Sequence, residues 1–145
     1  MTVTPSDRAL LERAIARARS LLEKDFSAIA EGRFGLHASG RIEPDEALTL
    51  SSAERSVRHE LVGVLEHLRA SGSAPAESTA RLLREAAFTT LNRLVAIRVA
   101  EALGLLPQSL AEGRSSRGYR ELLEVVPLIA DDYTAGYWTY LRLCG

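Results

Sequence analysis

One cysteine, one lysine, one tryptophan and one methionine are all that this chain of 145 residues holds of those four types. Each shortage excludes something. With Cys144 alone there is no intrachain disulfide, and a thiol one residue from the end with no evident base beside it makes a poor nucleophile. No apolar run reaches the ~18 residues needed to span a bilayer. The opening MTVTPSDRALLERA has no apolar signal core, so the expected location is cytoplasmic, with no membrane partner. A formal net charge of -1 gives no global attraction to nucleic acid or anionic lipid, so any basic site must be a local patch. Nearly all of the 18 basic residues are arginine, with Lys24 the exception. That bias suits phosphate recognition but is explained more simply by codon usage in a GC-rich genome.

Catalytic signatures are missing too. There is no G-x-G-x-x-G, no Walker A lysine and no Cys/His zinc spacing. The phrase 59-HELVG-63 begins like H-E-x-x-H but carries Gly63 where the second ligand has to be. His59 and His67, eight residues apart, stand ~12 Å apart along a helix, too far to chelate one ion, and read as surface histidines.

What is present is an ordinary globular composition, 46% hydrophobic and 26% charged. A chain of this length buries ~68–70% of its unfolded surface as one domain, 1–145. Its periodicity is helical throughout. Pro5, Ser6 and Asp7 start a helix running to about Ala30, with Leu10, Leu11, Ala14, Ala18, Leu21, Leu22 and Ile29 as its apolar stripe and Arg13, Arg17 and Lys24 on the opposite, solvated side. Residues 32–50, with Gly32, Gly35, Gly40 and Pro44, lack that period and read as an ordered loop or short hairpin. Ser51 and Glu54 have capping-box spacing for a second helix ending near Ala70, lined by Val57, Leu61, Val64, Leu65 and Leu68. A long central helix is expected over about 76–103, apolar on two faces, stopped by Gly104 and Pro107. A fourth starts near Ser115 or Ser116 and meets Pro127. The last, 132–144, opens on Asp131 and Asp132, adjacent carboxylates that suit a helix N-terminus better than a divalent cation. The expected fold is an all-α irregular bundle around the long helix.

Two sets of polar residues stand out. Arg114, Arg117 and Arg120 flank glycines and serines just before a helix start, where backbone N–H groups are unpaired; this is a candidate phosphate or DNA-backbone contact, against the plainer reading of a capped helix with exposed arginines. Asn92, Arg93 and Arg98 lie within the apolar stretch 86-AAFTTLNRLVAIRVAEALGLL-106. If they are buried each needs a partner, because an unpaired buried charge costs several kcal/mol, ~3–5 when one member of a pair is removed. They are expected to form a structural polar hub, with Glu101, Glu121, Glu124, Asp131 and Asp132 as candidate carboxylates. No catalytic or metal-binding residue set assembles.

The order of phrases 85-EAAFTTLNRLVAIRVAEALGLL-106, 116-SRGYRELLEVVP-127 and 137-YWTYLRLCG-145 resembles the helical N-terminal region of large adenine-specific DNA methyltransferases. These are the type IIG restriction-modification and BREX (phage growth limitation) enzymes of bacterial phage defence. The segment 33-RFGLHASGRIEP-44 with 53-AERSVRHELVGVLEHLRA-70 is similar to what precedes that helix in them, so the resemblance covers most of the chain. It implies a parent enzyme that uses S-adenosylmethionine to methylate adenine N6 in DNA. The glycine-rich cofactor motif and the Asn/Asp-Pro-Pro-Tyr/Phe motif that holds the target base are both absent, so no catalytic residue is carried over. The expectation is a non-catalytic N-terminal domain or fragment, with a methyltransferase core domain as partner and DNA backbone as a further contact. The alternative is a stand-alone helical interaction module or homodimer without enzymatic activity.

Overall fold

The computed structural model describes residues 4–127 and 135–144, and over them the protein is all-α. Helices α1 (Pro5–Phe34), α2 (Ser52–Ala70), α3 (Pro75–Ala102), α4 (Arg117–Val125) and α5 (Ala135–Cys144) are joined by loops carrying two 3-10 turns, Asp45–Ala47 and Gly113–Ser115. Among the described residues no helix is long and apolar enough to cross a membrane. The chain divides into two compact units, Met1–Thr89 and Thr90–Gly145.

In the first unit α1 begins at Pro5, as anticipated, with Thr4 as its cap. The Thr4 hydroxyl accepts the Asp7 amide at 3.2 Å, and the Asp7 carboxylate takes the Thr4 amide at 3.1 Å, with Pro5 at the first helical position. The helix runs past Ala30 to Phe34 and ends on Gly35, whose left-handed backbone lets its N–H close on the carbonyls of Ala30 and Glu31. The chain then folds back, and the hairpin anticipated in 32–50 consists of a single antiparallel bridge, Leu36 to Ile42. Its glycines and Pro44 leave no room for a ladder. Gly40, at φ 86°, lies so close to the first turn of α3 that a Cβ there would run into the backbone of Pro75 and Ala76. Only glycine permits both the conformation and the approach.

Helix α2 starts as anticipated, with the Ser51 hydroxyl accepting the Glu54 amide and the Glu54 carboxylate accepting the Ser51 amide at 2.8 Å. Those bonds, with the Arg33 guanidinium at 2.6 Å, hold the Glu54 carboxyl down at about 2. Its inward face departs from expectation. Leu65 and Leu68 are buried, Val57 and Val64 are exposed, and the buried residue one turn before Leu61 is Arg58. The core of this unit gathers Ala30, Leu36 and Leu65 with Phe34, Leu61, Val62, Leu82 and Leu83.

In the second unit the core is aromatic: Ile97, Tyr119, Tyr137, Tyr140 and Leu141, with Leu94, Leu106 and Leu110 against them. Tyr119 meets the Tyr137 ring edge-on at 5.3 Å and 75°, the arrangement that aligns ring edge with ring face. Helix α4 ends at Val125, before Pro127. The helix start assigned to Asp131 and Asp132 lies outside the described residues.

Helix α3 supplies Leu82 and Leu83 to the first core and Leu94 and Ile97 to the second. Its broad apolar face is not covered throughout, however. Phe88, Val95 and Val99 are exposed.

Candidate functional site

The polar hub expected on α3 is not buried. Asn92, Arg93 and Arg98 are all exposed, because the inward line of this half of the helix runs through Leu91, Leu94, Ile97 and Glu101. Arg98 does find one of its anticipated carboxylates, Glu101, at 2.9 Å. The burial is reversed: the arginine side chain is 57% exposed and the glutamate 2%. The residue that organises this end of α3 is therefore the acid.

Glu101 is satisfied by the loop that follows. Its Oε1 accepts the backbone N–H groups of Ser109 and Leu110, a concave pair of amides of the kind that cradles anions. Burial pushes this carboxyl up, but the amides of Leu110 and Ser109, the Arg98 guanidinium and the Ala111 amide outweigh it and keep it below the usual glutamate range. Ser109 is wholly buried; its hydroxyl donates to the Pro107 carbonyl at 2.8 Å and accepts from the Tyr140 hydroxyl, while Tyr137 donates to the Ser109 carbonyl at 2.6 Å. Burial pushes the Tyr140 phenol up to about 12, so it stays a neutral donor. With no solvent access to its serine, this Glu–Ser–Tyr cluster is a latch on loop 103–116 and not a nucleophilic centre.

The same loop governs the arginine-bearing start of α4. Ser116 precedes the helix without capping it through its side chain, and the Gly118 N–H donates to the Gln108 carbonyl at 2.8 Å. Gly118 also lies against the Tyr140 hydroxyl and the Pro107 ring. One of the amides that a phosphate needs is thus already engaged. Arg117 is held by Glu121 at 2.7 Å, one turn along, and keeps 73% of its side chain exposed; Arg120 is exposed, and Arg114 is half-buried near Tyr137. The engaged Gly118 amide narrows the backbone cradle open to an anion at this helix start.

The first unit contains a charge cluster that sequence spacing did not single out. His37 is wedged between Glu31 (Nδ1 to Oε1, 3.0 Å) and Glu43 (Nε2 to Oε1, 2.8 Å), and Arg41 reaches Glu43 at 3.2 Å. Hydrogen bonds to Glu43 and then Glu31 hold the imidazole above its ordinary value, against the opposing effects of burial and Arg41. Two arginines from α2 fasten the same loop, Arg58 to the Glu43 carbonyl and Arg69 to the Gly40 carbonyl. These contacts depend on the chain reversal at residues 35–42, which no motif announces. Arg58 had a readable signal: it stands three and four residues before Leu61 and Val62, on the inward stripe.

Apolar surface is the other prominent feature. Of the 30 residues of α1 only Ala30 is buried, and Leu10, Leu11 and Leu21 are 55, 58 and 53% exposed. An apolar recess of about 200 Å³ opens among Phe26, Phe34, Leu36, Leu61, Leu82 and Leu83. In the second unit Trp138 and Leu143 of α5 are exposed as well. Compared with known proteins, the chain matches no family, no curated protein and no solved structure.

Proposed function

We propose that this chain is a non-catalytic helical scaffold belonging to an adenine-specific DNA methyltransferase of a restriction-modification or BREX phage-defence system. In this reading its apolar faces are covered by the methyltransferase core, and Arg114, Arg117 and Arg120 touch DNA backbone. The sequence resemblance supplies the family. The observation that carries the scaffold role is the uncovered stripe of α1, where Leu10, Leu11, Ile15 and Leu21 face solvent on a helix that joins its core only at its C-terminal end, through Ala30 and Phe34. A helix so placed is held by another surface.

S-adenosylmethionine belongs to the parent enzyme in this reading. The residues present do not fit it: the glycine-rich turn is absent, and the described residues form no strand to carry one, only the isolated Leu36–Ile42 bridge. No chemical step is assigned to this chain.

Deleting the coding sequence in its host and mapping N6-methyladenine across the genome tests the proposal. Loss of methylation at one recognition sequence is expected; an unchanged methylation map overturns it. The exposed Trp138 and Leu143 favour a second reading, a homodimeric interaction module. Light scattering of the purified chain decides on it, a mass of two chains favouring the dimer and a mass of one removing it.

A further inference from the structure

Arg58 is 3% exposed, and two of its nitrogens, Nε and Nη1, are buried without a hydrogen-bond partner. Only Nη2 is satisfied, by the Glu43 carbonyl. Leaving such groups unpaired is costly, and more so for a charged donor, so an arrangement of this kind calls for a partner. Arg58 is part of the wall of an open pocket of about 400 Å³, whose other walls are Ile42, Glu43, Pro44, Asp45, His59 and Val62. The nearest anion is Asp45, with Oδ1 at 3.1 Å from Nε. That approach lacks the alignment of a hydrogen bond, and the Asp45 side chain remains 77% exposed on its short 3-10 turn.

We infer that this pocket is a carboxylate-binding site, with Arg58 as its anchor and Asp45 as an internal stand-in that an incoming carboxylate displaces. Three features define the ligand. A planar carboxylate matches the fork of a guanidinium and can pair two nitrogens at once, which Asp45 does not achieve from its turn. Ile42, Pro44 and Val62 supply apolar walls, so the group beside the carboxylate is a small branched apolar body. Glu43 and Asp45 at the pocket disfavour a dianion, so a singly charged carboxylate is preferred over the doubly ionised form of phosphate. His59 lines the same pocket.

The test follows the Arg58 Nε–Hε resonance and the methyl groups of Ile42 and Val62 by NMR in the intact chain. N-acetylvaline, isobutyrate and inorganic phosphate are titrated at constant ionic strength and about pH 8, where phosphate is chiefly the dianion. Saturable shifts at all three residues are expected with the two carboxylates, and not with phosphate. Stronger binding of N-acetylvaline would mark a peptide C-terminus as the source, and equal binding a free small acid. In Asp45→Asn the apparent Kd for N-acetylvaline should fall about fivefold, because an exposed competing ion pair is worth up to ~1 kcal/mol. Arg58→Lys should abolish the shifts; if that variant does not fold, the Asp45→Asn result carries the test alone. Absence of saturable shifts in both wild type and Asp45→Asn, an unchanged or weaker Kd in Asp45→Asn, or equal shifts with phosphate would overturn the inference.

Discussion

The Glu101 carboxylate at the end of α3 accepts the backbone amide of Leu110, nine residues further along, and so closes the loop that leads into α4. The buried member of the Arg98–Glu101 pair is the acid, which predicts an asymmetry between substitutions at the two positions. Glu101→Gln removes the charge from hydrogen bonds to Ser109 and Leu110 and should cost about 1–3 kcal/mol. Arg98→Ala removes an exposed partner and should cost under ~1 kcal/mol. Urea unfolding followed by the lone Trp138 in α5 measures both. Because the folded carboxyl lies below its unfolded value near ~4.3, its contribution is present above that value and is lost as pH falls through the folded one. Glu101→Gln should therefore flatten the acid limb of the stability profile.

Gly118→Ala isolates a steric requirement. At an open helical position the change would add helix propensity and stabilise by ~0.5–1 kcal/mol. Here the new methyl overlaps the Tyr140 hydroxyl and presses on the Pro107 ring, so the sign reverses. A loss of about 1–3 kcal/mol is expected from overpacking, visible as a lower thermal midpoint. An unchanged or raised midpoint would mean that α4 does not pack on α5 through this glycine.

The helices were legible because their signals are local. Ser51 and Glu54 mark the start of α2, and Pro107 stands beyond the end of α3. Burial was legible only in part. Phe88, Val95 and Val99 look like core in a periodic sequence, yet what covers an apolar face is decided by partners that periodicity does not encode. Arg98 and Arg58 show the converse: the arginine within the apolar run is exposed, and the one on the polar-looking helix is inside. Glu101 escaped notice as an organiser because its ligands are backbone amides, which carry no sequence signature. The same holds for the Arg58 and Arg69 contacts to the carbonyls of Glu43 and Gly40.

The exposed stripe of α1 predicts a separation between stability and association. In Leu11→Gln with Ile15→Gln, the urea midpoint should stay within the ±0.5 kcal/mol typical of surface changes, since neither side chain is in the core. Co-purification with the methyltransferase core proposed above as its partner should be lost. If the midpoint falls substantially, α1 is held by its own unit and the docking role fails.

Replacing Arg114, Arg117 and Arg120 together with alanine tests DNA contact. Losing phosphate contacts weakens binding equally for unrelated sequences, and each one lost reduces the steepness of log K against log salt by about 0.9. Arg117 carries Glu121 as a partner, so its share should be smaller than that of Arg120 and should grow in Glu121→Gln. Fluorescence anisotropy on two unrelated duplexes at several salt concentrations measures this. Unchanged affinity and slope would remove DNA from the partners of this face.

His37 gives the chain a response to pH near neutrality. Its ring lies between Glu31 and Glu43, and the Arg41 guanidinium faces both Glu43 at 3.2 Å and the ring Nε2 at 2.7 Å, the one cation among the described residues that opposes protonation here. The folded imidazole titrates above its unfolded value of ~6.5, so the protonated ring stabilises the fold. That contribution is fully present below the unfolded value and is lost as pH rises through the folded one. Loop 35–43 should loosen as the solution passes from mildly acidic to alkaline. An NMR titration of the His37 ring protons should give a midpoint above ~6.5, returning toward it in Glu43→Gln. Amide exchange at Leu36 and Ile42 should quicken over the same interval in wild type and not in His37→Gln. A midpoint at or below the unfolded value would show that the two glutamates do not hold the ring in its charged form.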